Sequence, residues 1–148
     1  MKKPDRYIQK INQNNAEITE LYEQWAKQKG IQYSHFLVLY ALVENDNITQ
    51  KQISERTHLI KQTVNVIIQS FQKKGYITLA QDTDNRKEKR IFLTDEGKVF
   101  AHSIIDEILT LEEKVAEQMG SQALQQMANV TELFKETLQK EMNECLKQ

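Results

Sequence analysis

A single cysteine, Cys145, excludes a disulfide framework within the chain and a cysteine-based zinc finger. One proline and four glycines in 148 residues leave too few turn-formers for a loop-rich or all-β fold. No apolar run reaches the length of a membrane span, and Met1-Lys2-Lys3-Pro4 does not open a signal peptide, so a cytoplasmic protein without a membrane partner is expected. Glycine-rich phosphate loops are missing. The histidines, His35, His58 and His102, stand apart, and no serine or cysteine sits in a nucleophile motif. Neither an enzyme nor a bound cofactor is therefore expected. Net charge is almost absent as well, at -1, and by itself says nothing about partners.

Charge is unevenly placed, however. Residues 49–90 hold nine Lys/Arg against four Asp/Glu, whereas residues 91–148 hold five against eleven. A basic middle beside an acidic tail is an electrostatic footprint for nucleic acid, although surface charge also segregates by chance. The length suits one domain with a real core, and the many Gln, Lys, Glu and Leu residues favour helices.

The basic middle has a readable order. Thr49-Gln50-Lys51-Gln52 has the form of a capping box and starts a short helix through about Arg56. After His58-Leu59 a second helix is predicted, with Ile60, Val64, Ile67, Ile68 and Phe71 on one face, ended by Lys73-Lys74-Gly75. Its other face carries Lys61, Gln62, Thr63, Asn65, Gln69 and Lys73. That face is rich in amides and free of acids, which suits a DNA major groove and also describes an ordinary solvated helix. Tyr76–Gln81 and Arg90–Thr94 then alternate as two strands, with Ile77, Leu79, Ile91 and Leu93 inward. The turn between them holds Arg86 and Lys87, with Asp82 and Asp84 as the acids available to pair with Arg86. A helix-turn-helix followed by such a hairpin reads as a winged helix, whose wing places an arginine in the minor groove.

These residues resemble the MarR family of bacterial transcriptional regulators. The resemblance rests on Ile48 to Arg56, Lys61-Gln62-Thr63-Val64-Asn65, Lys73 to Ile77, Asp84-Asn85-Arg86, and Ile91-Phe92-Leu93-Thr94-Asp95-Glu96-Gly97. It implies a homodimeric regulator, most often a repressor, bound to double-stranded DNA at a pseudo-palindromic operator. Ile60 and Val66 depart from the family, which often has serine or aspartate at the first place and arginine at the second. The resemblance further implies a small aromatic or phenolic effector, for which Tyr22, Trp25, Tyr33, His35 and Tyr40 would cluster, unless they are simply core. Peroxide-sensing relatives use a cysteine near the start of the first helix, where this chain has none.

The expected fold class is mostly α with a small β-hairpin wing. Residues 31–94 form the DNA-binding region, and residues 1–30 and 95–148 form a helical dimerisation region. A long helix is predicted from Pro4 to about Gly30, with Ile8, Ile11, Ile18, Leu21, Tyr22 and Trp25 on one side and a polar interruption at Asn12 to Asn15. A nearly all-apolar helix follows from Tyr33 to Val43. Another runs from Asp95 to about Met119, and Ser121 is expected to cap a last one through Leu146. Together these helices carry more apolar surface than a monomer hides, which argues for a dimer. Two other readings compete: a winged helix used as a protein-interaction module, and a metal-responsive regulator using His102 and Asp106, four apart on one helix face.

Overall fold

Capping chemistry sets where the helices begin. In the computed structural model, which describes residues 1–85 and 87–147, helix α1 spans Arg6–Gln28. It starts two residues after Pro4 because Asp5 is the cap: its carboxylate accepts from the amides of Tyr7 and Ile8 at 2.8 and 3.1 Å. The polar run Asn12 to Asn15 does not interrupt it. Helix α2, Tyr33–Glu44, buries Phe36, Val38, Leu39, Ala41 and Leu42.

Next comes a strand that periodicity does not reveal, β1 (Ile48–Thr49). Two residues cannot show alternation. Thr49 also caps α3 (Gln50–Thr57), and the capping box is complete in both directions, at 3.2 and 3.0 Å. Helix α4 spans Lys61–Lys73 and buries Val64, Ile67, Ile68 and Phe71. Ile60 does not join that face. It is the N-cap residue, with extended backbone and 68% exposure, and it offers no side-chain bond to the helix.

Strands β2 (Ile77–Gln81) and β3 (Lys89–Leu93) pair antiparallel, and β1 adds to the other edge of β3, so the wing is a three-stranded sheet rather than a bare hairpin. Ile77 and Ile91 are buried, whereas Leu79 and Leu93 are only half-buried. Helix α5 spans Asp95–Met119 and α6 spans Ser121–Leu146. Ser121 does not cap α6. Gly120 holds the cap position at φ +81, with no side-chain bond.

The chain divides into two compact units, Met1–Ile105 and Asp106–Gln148. The core of the first joins α2 and the buried face of α4 to Ile48, Ile53, Ile77, Ile91, Ala101, Ile104 and Ile105. Each large side chain buried there contributes about 1.5–3 kcal/mol. A polar knot fixes the end of α4, the start of β2 and the start of α5 together. Gly75 ends α4 at φ +78, and the Tyr76 amide reaches back to the Phe71 carbonyl at 2.9 Å. The Thr94 hydroxyl donates to the Gly75 carbonyl at 2.6 Å and accepts from the Gly97 amide at 3.0 Å, while the Thr94 amide donates to the Tyr76 carbonyl at 3.0 Å. The Leu-Thr-acid-acid-Gly stretch is thus a helix cap tied to the preceding strand.

Candidate nucleic-acid interface

Helix periodicity fixes what α4 shows to solvent. With its buried stripe at Val64, Ile67, Ile68 and Phe71, the line opposite is Gln62, Val66, Gln69 and Lys73, at steps of four, three and four. All four are exposed, as are Lys61 and Asn65, while Thr63 is half-buried at the flank. Val66 therefore stands in the middle of the polar ridge, 58% exposed. The sequence marks this position as the place of the family's usual arginine, and the helical steps set it on the ridge.

The ridge is held against α3. Ser54 donates to the Leu59 carbonyl at 2.6 Å, and His58 turns the chain in the left-handed region at φ 57. Gln50 Nε2 lies 3.5 Å from Asn65 Oδ1, a long contact that occupies one acceptor lobe of the asparagine. Its amide hydrogens and second lone pair remain for an adenine edge.

The wing is built by side chains that fold back on their own backbone. Asp82 Oδ1 accepts from the Asp84 amide at 3.0 Å, and Asn85 Oδ1 accepts from the Lys87 amide at 3.1 Å, two Asx turns in succession. Arg86, the residue expected to enter the minor groove, lies outside the described residues. Lys87 is exposed. Asp82 is paired with Arg90, whose Nε and Nη2 both lie 3.1 Å from Oδ2, while Nη1 donates to the Asn47 carbonyl at 3.0 Å. The sequence reading missed this role of Arg90. Ala80 faces Arg90 in the register, so Asp82, two residues on, lies diagonally across on the same face. Asp82 is nearly closed to water, its side chain 7% exposed, while that of Arg90 is 27% exposed. The pair braces the wing against the turn before β1.

The residues expected to hold an effector are all half-buried. Trp25, Tyr33 and Tyr40 surround Phe36, with ring centroids 5.5, 6.0 and 6.0 Å from it. His35 instead sets its ring edge-on to Phe71, 5.9 Å away. Burial, and then the charge of Lys74, hold His35 below the usual imidazole pKa. Burial, and then Glu23, raise that of Tyr33. Phe36, buried at the centre of the group, is legible in the sequence only as part of the apolar second helix and not as an effector residue. His102 and Asp106 are exposed on α5, and no group of three or more potential metal ligands occurs among the described residues. Cys145 is exposed on α6. No helix among the described residues is long and apolar enough to cross a membrane.

Two helices joined by a three-residue turn, the second with an acid-free ridge, followed by a braced sheet with a polar tip, define a winged helix-turn-helix of the DNA-binding kind. Known proteins agree with that class. Over 130 residues the chain is 24% identical to the HTH-type transcriptional regulator SarZ of Staphylococcus epidermidis, covering 86% of this chain and 88% of that one. SarZ of Staphylococcus aureus is 25% identical over 85 residues, 57% of either chain. Among solved structures, NMB1585, a MarR family regulator from Neisseria meningitidis, shares the fold with a TM-score of 0.85 at 24% identity, over 95% of this chain and 99% of that one. Staphylococcus aureus MarR in complex with salicylate and kanamycin has a TM-score of 0.70 at 20% identity, over 91% of each chain. Residues 29–88, the winged-helix part of the chain, match the MarR family model, and together these likenesses support a MarR-family transcriptional regulator.

Proposed function

We propose that the chain works as a homodimeric repressor bound to a pseudo-palindromic operator. The observation that carries this reading is the exposed, acid-free ridge of α4. Gln62, Thr63, Asn65 and Gln69 contact base edges in the major groove, Lys61 and Lys73 hold phosphates, and Arg86 and Lys87 of the wing meet the minor groove and its backbone. Residues 31–94 read DNA, and residues 1–30 and 95–148 join two protomers so that their α4 helices fall about one DNA turn apart. A small aromatic or phenolic effector bound among Tyr22, Trp25, Tyr33, His35 and Tyr40 releases the operator. The salicylate bound by Staphylococcus aureus MarR supports a ligand of that class.

Two substitutions test the assignment of contacts. Asn65→Ala should weaken binding to the preferred site by about 1–3 kcal/mol and leave non-specific binding nearly intact, as measured by fluorescence anisotropy on specific and scrambled duplexes. Equal loss on both duplexes would mean that Asn65 holds backbone and that the reading face is rotated. Arg86→Ala should weaken binding about tenfold, 1.4 kcal/mol, with the melting temperature nearly unchanged. A mutant that melts much earlier, or binds as tightly as the parent, would move the DNA contact away from the wing tip.

A further inference from the structure

The chemistry along α4 restricts which base pairs it can read. Between Lys61 and Lys73 the exposed side chains are Gln62, Asn65, Val66, Gln69 and Gln72, with Thr63 and Ser70 half-buried at the flank. The helix has no arginine and has lysines only at its two ends, so its middle lacks the cations that pair with guanine O6 and N7, and it has no carboxylate to accept from cytosine N4. Its amides match the N6 and N7 edge of adenine. At the centre stands Val66, an apolar β-branched side chain left 58% exposed, with Gln62 four residues before it and Gln69 three after on the same line. The apolar group that the major groove offers to such a side chain is the 5-methyl of thymine.

We propose that α4 recognises an A·T half-site core, with a thymine methyl seated on Val66 and adenine edges bonded by Gln62, Asn65 or Gln69. This rests on the assignment of α4 to the major groove and goes beyond it by naming the base pairs. Val66 is then a specificity-determining residue. Its methyl groups gain in the complex the apolar cover they lack in the free protein.

The test begins with selection of bound duplexes from random DNA by the full-length protein, followed by replacement of each core thymine in turn with uracil. Uracil pairs identically and lacks only the methyl. The wild-type protein should select an A·T core and lose about fourfold in affinity at one position per half-site, the worth of burying one methyl group. Val66→Ala should bind thymine and uracil at that position nearly equally while keeping the parent melting temperature, since the side chain is on the surface. A selected core of G·C pairs, or uracil losses that persist in Val66→Ala, would overturn the proposal while leaving α4 as the DNA-reading helix. Failure to bind any duplex, even at low salt, would overturn both.

Discussion

Gly97→Ala is expected to destabilise the protein by about 3 kcal/mol or more, lowering the melting temperature by about 10 °C. Gly97 is the third residue of α5, and in an ordinary helix that exchange would stabilise by about 1 kcal/mol. Here sterics oppose propensity. A Cβ on Gly97 would stand 1.9 Å from the Tyr76 carbonyl oxygen and 2.7 Å from its carbon. Neither atom belongs to a flexible side chain. The same oxygen accepts from the Thr94 amide, and the Thr94 hydroxyl bridges Gly75 to the Gly97 amide, so the backbone cannot shift without breaking the cap. The overlap therefore wins over the helix-propensity gain. Thermal unfolding followed by circular dichroism measures the difference, and an unchanged or raised melting temperature would show that α5 and the bend at Tyr76 move apart freely.

The second large effect concerns assembly. Light scattering at micromolar concentration should give twice the 17.4 kDa chain mass, and deletion from Ser121 onward should leave insoluble or unfolded protein. Helix α6 has no buried residue. Met127, Val130, Leu133, Leu138, Met142 and Leu146 are 43–84% exposed in the single chain. A helix with so little to pack on is not stable by itself in water. Covering these side chains in both protomers is worth on the order of 10 kcal/mol, against an association cost of about 4–15 kcal/mol. The gain from α6 alone only matches the cost. The expected dimer therefore needs further cover, and Tyr7, Ile8, Ile11, Ile18 and Leu21 of α1, like Leu109, Leu111, Val115 and Met119 of α5, are apolar side chains left exposed. A folded, monomeric truncation product would contradict the dimer.

Local signals were readable from the residues, and those made by distant partners were not. The capping box at Thr49 and Gln52 lies within four residues, and the buried stripe of α4 repeats at helical spacing, so both were plain from the sequence. Ile60 fits that spacing by number, yet it precedes the helix and points its bulk to solvent. The β1 strand owes its existence to β3, some forty residues away in the chain. The bond of Arg90 to Asp82 and Asn47 depends on strand register, which no local pattern records. For the same reason Gly97 was recognisable as part of a motif, while its physical cause, the approach of Tyr76, required the fold. At α6 the break at Gly120-Ser121 was legible, but the helix begins one residue earlier than a serine cap implies, with Gly120 in the cap position. The residues around Phe36 were legible as aromatic and half-apolar, but the contact of His35 with Phe71 of another helix was not.

The central claim is that α4 and the wing together read duplex DNA, and salt-dependent equilibrium binding tests it most directly. The full-length protein is titrated with its best selected duplex and with a scrambled one, across a range of potassium chloride concentrations. Lys61, Lys73 and Lys87 from both protomers should release counterions, giving a slope of about -5 in log affinity against log salt. The selected duplex should bind at least about a thousandfold more tightly than the scrambled one at physiological salt. Binding that is weak, nearly flat with salt and indifferent to sequence would contradict the account.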